Sequence, residues 1–191
     1  MAKKDFQDLA VIIANKLRLE GYIVEVTSSF KGAYRIFVRI ASVLYEAGIS
    51  RHRGEKLLIQ VDAEPQGFKY KPDKIMLNKF DVFTRIDAAP VDLLLAQKIS
   101  AIFMRKRTLG RDLYDAVYLF GKAMPNLAYL KAKAGIKDLP DMKEKLLQKC
   151  RPLDLGLLAD DLRQFLFIPS DSKKVLLFRD YIQSLPDIIS V

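Results

Sequence analysis

The stretch GRDLYDAVYL, residues 110 to 119, places two carboxylates three residues apart, Asp112 and Asp115, beside Arg111 and just after the run Arg105, Lys106 and Arg107. Two readings of that spacing stand. As structure, Asp112 falls in the first turn of a helix, where a carboxylate interacts favourably with the helix dipole. Asp115 follows one turn later on the same side, and both can pair with Arg111 or with the 105–107 cluster. As chemistry, an aspartate held among cations fixes a catalytic lysine or helps orient a metal-bound nucleotide. A lysine is at hand, because Lys98 interrupts the apolar run LLLAQKISAIFM. It either lays its stem along apolar surface and carries its ammonium to the rim, or aims a point charge at a nucleotide's phosphates. Arg105 lies two turns further along the same stripe and would extend Lys98 into a basic track.

A second carboxylate pair lies upstream in KLLIQVDAEP. Side chains alternate along a strand, so Leu57, Ile59 and Val61 share one face while Leu58, Gln60, Asp62 and Glu64 share the other. Asp62 and Glu64 are then close enough to share a hard divalent cation such as magnesium, or both face water at the end of an edge strand. Other chemistries lose support. The sequence holds no Gly-rich loop ending in Lys-Ser or Lys-Thr, no Gly-x-Gly-x-x-Gly, no Gly-x-Ser-x-Gly and no His-Glu-x-x-His. With one cysteine and one histidine there is no intramolecular disulfide and no Cys/His zinc cluster, which suits a reducing cytoplasm. Cys150, in EKLLQKCRPL, has no histidine nearby in sequence and reads as an inert thiol on an amphipathic helix.

The elements that must position these groups follow from periodicity. Phe6, Leu9, Ile13 and Leu17 recur at helical spacing and stop at Gly21, a good helix terminator. YIVEVTSSF and YRIFVRI alternate and are rich in β-branched and aromatic residues around Lys31-Gly32, which predicts a hairpin. A short helix over ASVLYEAGIS closes at Gly48, the KLLIQVDAE strand ends at Pro65, and KIMLNKFDVFTRIDA supplies one or two further strand stretches. From Pro90 onward the signals are helical: Val91 to Lys106 with Leu95, Ile99, Ile102 and Phe103 on one side, a helix from Gly110 carrying Leu113, Val117 and Phe120 inward, then 125–134, 140–150, 153–165 and 171–184. The fold class is therefore α+β, a small mostly antiparallel sheet followed by a C-terminal helical bundle. The expected division is 1–89 for the α+β region and 90–191 for the helical one. The formal charge of +9 favours an anionic partner, whether nucleic acid, nucleotide or acidic protein. No stretch approaches the roughly 18 apolar residues a membrane span requires, and the start MAKKDFQDLA lacks the apolar run of a signal peptide, so the expectation is a cytoplasmic protein without a membrane.

The order of a strand carrying IQVDAE and then LLLAQKISAIFMRKRTLGRDLYDAVYLF resembles the AbiEii/AbiGii-type nucleotidyltransferase-like family, the toxin halves of abortive-infection and toxin–antitoxin pairs. Members carry a run like LA-x-K-L-x-A-h-h-x-R (h, apolar) followed by GRDLYDL. Leu95, Ala96, Lys98, Ala101, Arg105, Gly110, Arg111, Asp112, Leu113, Tyr114 and Asp115 fit it in order. The resemblance implies a nucleotidyltransferase-like sheet and magnesium-dependent transfer of a nucleotide from an NTP to an RNA acceptor, with transfer RNA one kind of target and an antitoxin protein as partner. Asp62 would match the strand carboxylate that holds metal, with Gln60 in the place of the family's lysine and Glu64 as its neighbour. Lys98 would match the lysine that contacts the triphosphate, with Arg105, Arg111 and Asp115 around the nucleotide. Asp112, or Asp115, would match the aspartate of the last motif, making Asp62, Lys98 and Asp112 the catalytic set. The family's first motif, a Gly-Gly or Gly-Ser helix start followed by Asp-x-Asp, has no counterpart in this sequence. A member without it is expected to be severely weakened in transfer by itself. The alternative is a non-catalytic basic module for RNA or an antitoxin, with Lys98, Arg105, Lys106, Arg107 and Arg111 as phosphate contacts.

Overall fold

Phe6, Ala10 and Ala14 lie four residues apart, so a 3.6-residue period sets them in one stripe, and α1 (Lys3–Leu19) buries that stripe. The helix ends where Gly21 takes φ +89. There Tyr22 N donates to Leu17 O and Gly21 N to Arg18 O, both at 3.0 Å, a Schellman ending that uses glycine's freedom at positive φ. Three antiparallel strands follow in the order β1 (Val24–Ser29), β2 (Tyr34–Ala41) and β3 (Lys56–Ala63). One turn of helix, α2 (Val43–Glu46), leads into β3. Alternation sends Ile36, Val38 and Ile40 inward against Phe6 and Ala10, with Leu57, Val61 and Ala63 packed beside them. The other face carries Glu25 and Thr27 of β1, Arg35 and Arg39 of β2 and Gln60 and Asp62 of β3. The coordinates are a computed structural model and describe residues 3–64 and 67–186; Pro65, expected to end β3, lies outside the described residues.

The chain divides into two units, Met1–Gly67 and Phe68–Val191. The second opens with a separate hairpin, β4 (Asp73–Lys79) paired antiparallel with β5 (Val82–Ala88). Its turn is only Phe80-Asp81, with φ +52 and +61, the type I′ geometry whose twist matches paired strands. Among the described residues, helices complete the unit: α3 (Val91–Met104), α4 (Gly110–Phe120), α5 (Leu127–Ala134), α6 (Leu139–Cys150), α7 (Leu155–Arg163), α8 (Lys173–Leu176) and α9 (Phe178–Ser184). The single helix expected over 171–184 is divided into a 3₁₀ turn (Pro169–Ser172), α8 and α9. Leu177, at φ −92 and ψ 13, breaks it, which sequence does not announce because neither proline nor glycine stands there.

The helical core is centred on α3, whose Leu93, Leu95, Ala96, Ile99 and Ile102 are all buried. Around them pack Leu113 and Ala116 of α4, Leu130 of α5, Met142 and Leu146 of α6 and Ile182 of α9. Asn126, Asp138 and Asp154 cap α5, α6 and α7 by accepting from Tyr129 N, Asp141 N and Leu157 N. Arg179 closes the other end of α6, donating to the carbonyls of Cys150 at 2.8 Å and Leu153 at 2.7 Å. Among the described residues, no helix is long and apolar enough to cross a membrane.

Candidate functional site

Because α3 is apolar nearly all round, its polar positions are few, and Lys98 is the charged one in its middle. The helix stops at Arg105, whose ψ of 139 turns the chain into an extended connection. That turn feeds α4, which starts at Gly110. Only glycine fits there: a Cβ on Gly110 would stand 2.1 Å from the carbonyl oxygen of Leu158 in α7. The close approach seats the first turn of α4 against the bundle and carries Asp112 inside.

The result is a four-residue charge cluster. The Asp112 side chain is 1% exposed, with Arg105 Nη1 3.1 Å from its Oδ2 and Lys98 Nζ 3.7 Å from its Oδ1. Asp115, one turn further along α4, takes Lys98 Nζ at 2.6 Å through Oδ2. Two cations and two carboxylates thus meet, and the lysine is held from both sides. The Asp112 contacts are ionic in character: neither of its oxygens meets a donor in hydrogen-bonding alignment among the described residues. A buried carboxylate in that condition is retained by charge, since an isolated buried charge is strongly disfavoured. Lys98 remains 35% exposed, and an ammonium has three donors. With Asp115 engaging it and Asp112 beyond hydrogen-bond distance, donors remain for a further anion.

Arg111 is not part of this cluster. Adjacent positions on a helix do not face each other, so Arg111 points away from Asp112, and it makes no ion pair among the described residues. Arg107 pairs instead with Asp161 at 3.5 Å. Both arginines border a cleft of about 510 Å³ whose apolar wall is Leu158, Leu162 and Phe165. The sequence reading singles out none of that wall. Its signal was QFLFI before Pro169, an apolar run with neither helical nor alternating period.

Asp62 and Glu64 belong to the first unit. Asp62 is exposed on β3 directly opposite Arg35 of β2. Arg35 Nε lies 3.6 Å from its Oδ1, and Gln60 Nε2 donates to both carboxylate oxygens at 2.9 Å. The Gln60 bond confirms that the two side chains share a face, as alternation requires. Glu64 is exposed just beyond the strand. A hard cation such as magnesium wants a near-complete shell of oxygens. Among the described residues, no three carboxylate, histidine or cysteine side chains gather to supply one. This donor set does not fit a protein-built magnesium site.

Cys150 is buried at the end of α6. Desolvation pushes its thiol up to about 11, against smaller opposing effects of Arg179 and Lys149, so it is protonated and unreactive near neutral pH.

The chain matches a protein-family model over residues 2–181, that of the nucleotidyl transferase AbiEii toxin, Type IV TA system. No curated protein and no solved structure gives a significant match.

Proposed function

The chain belongs to the nucleotidyl transferase AbiEii toxin family of type IV toxin–antitoxin systems, and from that premise we propose that Lys98 is its triphosphate contact in moving a nucleotide from an NTP to an RNA acceptor. The observation that carries this reading is the grip on Lys98 Nζ, 2.6 Å from Asp115 and 3.7 Å from the buried Asp112. A free lysine samples many rotamers; one clamped by two carboxylates on a neighbouring helix is aimed before the ligand arrives, which lowers the entropic cost of binding. Arg105, tied to the same Asp112, sets a second cation beside it.

In the reaction an acceptor oxygen attacks the α-phosphorus and pyrophosphate leaves. Negative charge grows on the leaving phosphates, and preorganised cations stabilise it without reorganising. Lys98 and Arg105 serve that role, Asp112 and Asp115 position them, and Arg111 contacts the nucleotide from the rim of the neighbouring cleft. Magnesium would arrive with the triphosphate, and Asp62 and Glu64, whose donor set does not build a site for it among the described residues, take no part in this step. The acceptor is RNA, with transfer RNA one candidate. Membership in a toxin–antitoxin family implies an antitoxin partner, and we place the pair in the cytoplasm.

A second reading has its own observation. The sequence holds no Asp-x-Asp and Asp62 is already engaged by Arg35 and Gln60, which favours a basic module that binds RNA or its antitoxin without catalysis. One assay separates the two. Incubation with α-labelled NTPs and RNA should move label into RNA, and Lys98→Ala should cut the rate at least a hundredfold. Label transferred equally by Lys98→Ala would contradict the proposed role. RNA binding without label transfer by the unaltered chain would establish the second reading.

A further inference from the structure

Three clefts of the second unit lie end to end. One, of about 420 Å³, has Lys106, Arg107 and Lys149 on its border. The next, of about 510 Å³, shares Arg107 with it and adds Arg111 and Phe165. The third, of about 430 Å³, shares Phe165 with the second and runs past Phe167 to Asp115, the residue that grips Lys98. Together they make one groove with cations at its far end, aromatic rings along it and the lysine cluster at its near end.

We propose that this groove seats a single-stranded segment of nucleic acid and delivers its end to Lys98; the proposal rests on the nucleotidyl-transfer reading and adds to it where the acceptor strand lies and that it is unpaired. The rings argue for bases. Phe165 is 75% exposed and Phe167 wholly so, and neither has a ring partner among the described residues. Unstacked bases are the ligand that covers such rings without regard to sequence, whereas a duplex keeps its base faces hidden. The charges argue for a phosphate backbone. Asp161 is occupied by Arg107, Asp115 by Lys98, and Asp171 by Lys174 at 2.6 Å, while Asp154 caps α7 by accepting from Leu157 N. Lys106, Arg111 and Lys149 are left without ion pairs among the described residues. An apolar protein segment would cover Phe165 but leave these three cations unmatched.

The test is fluorescence anisotropy of the full chain with a labelled single-stranded RNA of about twelve nucleotides, a length within the usual range for one such groove, against a duplex of the same sequence. The single strand should bind at least tenfold more tightly than the duplex. Phe165→Ala with Phe167→Ala should weaken it roughly tenfold; both side chains are exposed, so circular dichroism should be unchanged. Lys106→Ala with Lys149→Ala should flatten the slope of log affinity on log salt by about 1.4, at about 0.7 per phosphate contact on a single strand. Equal affinity for duplex, no binding of the single strand, or an unchanged affinity in the double phenylalanine variant would overturn the proposal. NTP titration of the same variants keeps the two readings apart. If the phenylalanine variant keeps its RNA affinity while Lys98→Ala loses NTP affinity, the groove is wrong and the Lys98 site stands. If Lys98→Ala leaves NTP affinity untouched while the single strand still binds through Phe165, the reverse holds.

Discussion

Asp112 is the residue on which the charge cluster depends, and its burial sets what substitution does. Removing one member of a buried ion pair destabilises by roughly 3–5 kcal/mol when its partners stay buried. Here Lys98 and Arg105 are about one-third exposed and rehydrate in part, so Asp112→Asn, which keeps the shape and removes the charge, is expected to lower stability by about 1–2 kcal/mol. Asp112→Ala adds a cavity and should cost about 3 kcal/mol or more. Asp115→Asn, at a pair about one-third exposed, should change stability by less than about 1 kcal/mol yet still release Lys98. Urea midpoints of the three variants check this order; equal losses would mean that the burial of Asp112 is immaterial. Cys150 gives a pH signature. Its thiol keeps its proton in the folded chain up to about 11 and loses it in the unfolded chain near the ordinary value of 9.0. The unfolded state therefore releases the proton first, and stability falls as pH rises through that window, by at most about 1.4 kcal/mol per unit. Urea midpoints between pH 8.5 and 10.5, an interval chosen around those two values, should fall less steeply for Cys150→Ala than for the unaltered chain. Parallel slopes would contradict the assignment. Of these residues, Lys98 and the aspartates were legible from spacing, since a lysine inside an apolar run and carboxylates at i and i+3 both stand out. The partners were not. That Arg105 rather than Arg111 meets Asp112 depends on where α3 ends, and that Arg35 meets Asp62 depends on strand register.

At the scale of elements, periodicity made most of the fold readable. α1, the three-stranded sheet and the helices from α3 onward fall where helical spacing, alternation and terminating glycines or prolines put them. Two places resisted for physical reasons. Leu177 breaks the last helical stretch with no local signal, and the β4–β5 turn uses Phe80-Asp81 where a type I′ turn normally shows Asn-Gly. A phenylalanine at φ +52 is disfavoured because its Cβ crowds the backbone, by roughly 1–2 kcal/mol, and its ring is 93% exposed, so packing does not offset the strain. Phe80→Asn is accordingly expected to raise stability by about 1 kcal/mol. A lowered thermal midpoint would show that the ring has a partner in solution. Gly110 is the opposite case: the sequence shows it opening the GRDLYD motif, and only the structure shows why, because α7's backbone lies where its side chain would be.

At the scale of the molecule, the four charges of the cluster, the groove and the larger core all belong to the unit Phe68–Val191, while Asp62 and Glu64 belong to Met1–Gly67. The α+β class and family membership were within reach of sequence, because an ordered run of apolar and charged positions survives in one dimension. The groove was not, since the α3–α4 connection, helices α4, α6 and α7 and the stretch after α7, distant in sequence, assemble it. A net charge of +9 predicts attraction to any polyanion and so cannot single out a site; only a local variant can. The direct measurement is therefore calorimetric titration of a nucleoside triphosphate with magnesium into the unaltered chain and into Lys98→Ala at equal ionic strength. Binding is expected to weaken at least tenfold in Lys98→Ala, with Lys98→Arg intermediate because charge is kept but the fit between Asp112 and Asp115 is not. An affinity unchanged by Lys98→Ala would contradict it, and the clamp on that lysine would then serve only to hold α3 to α4.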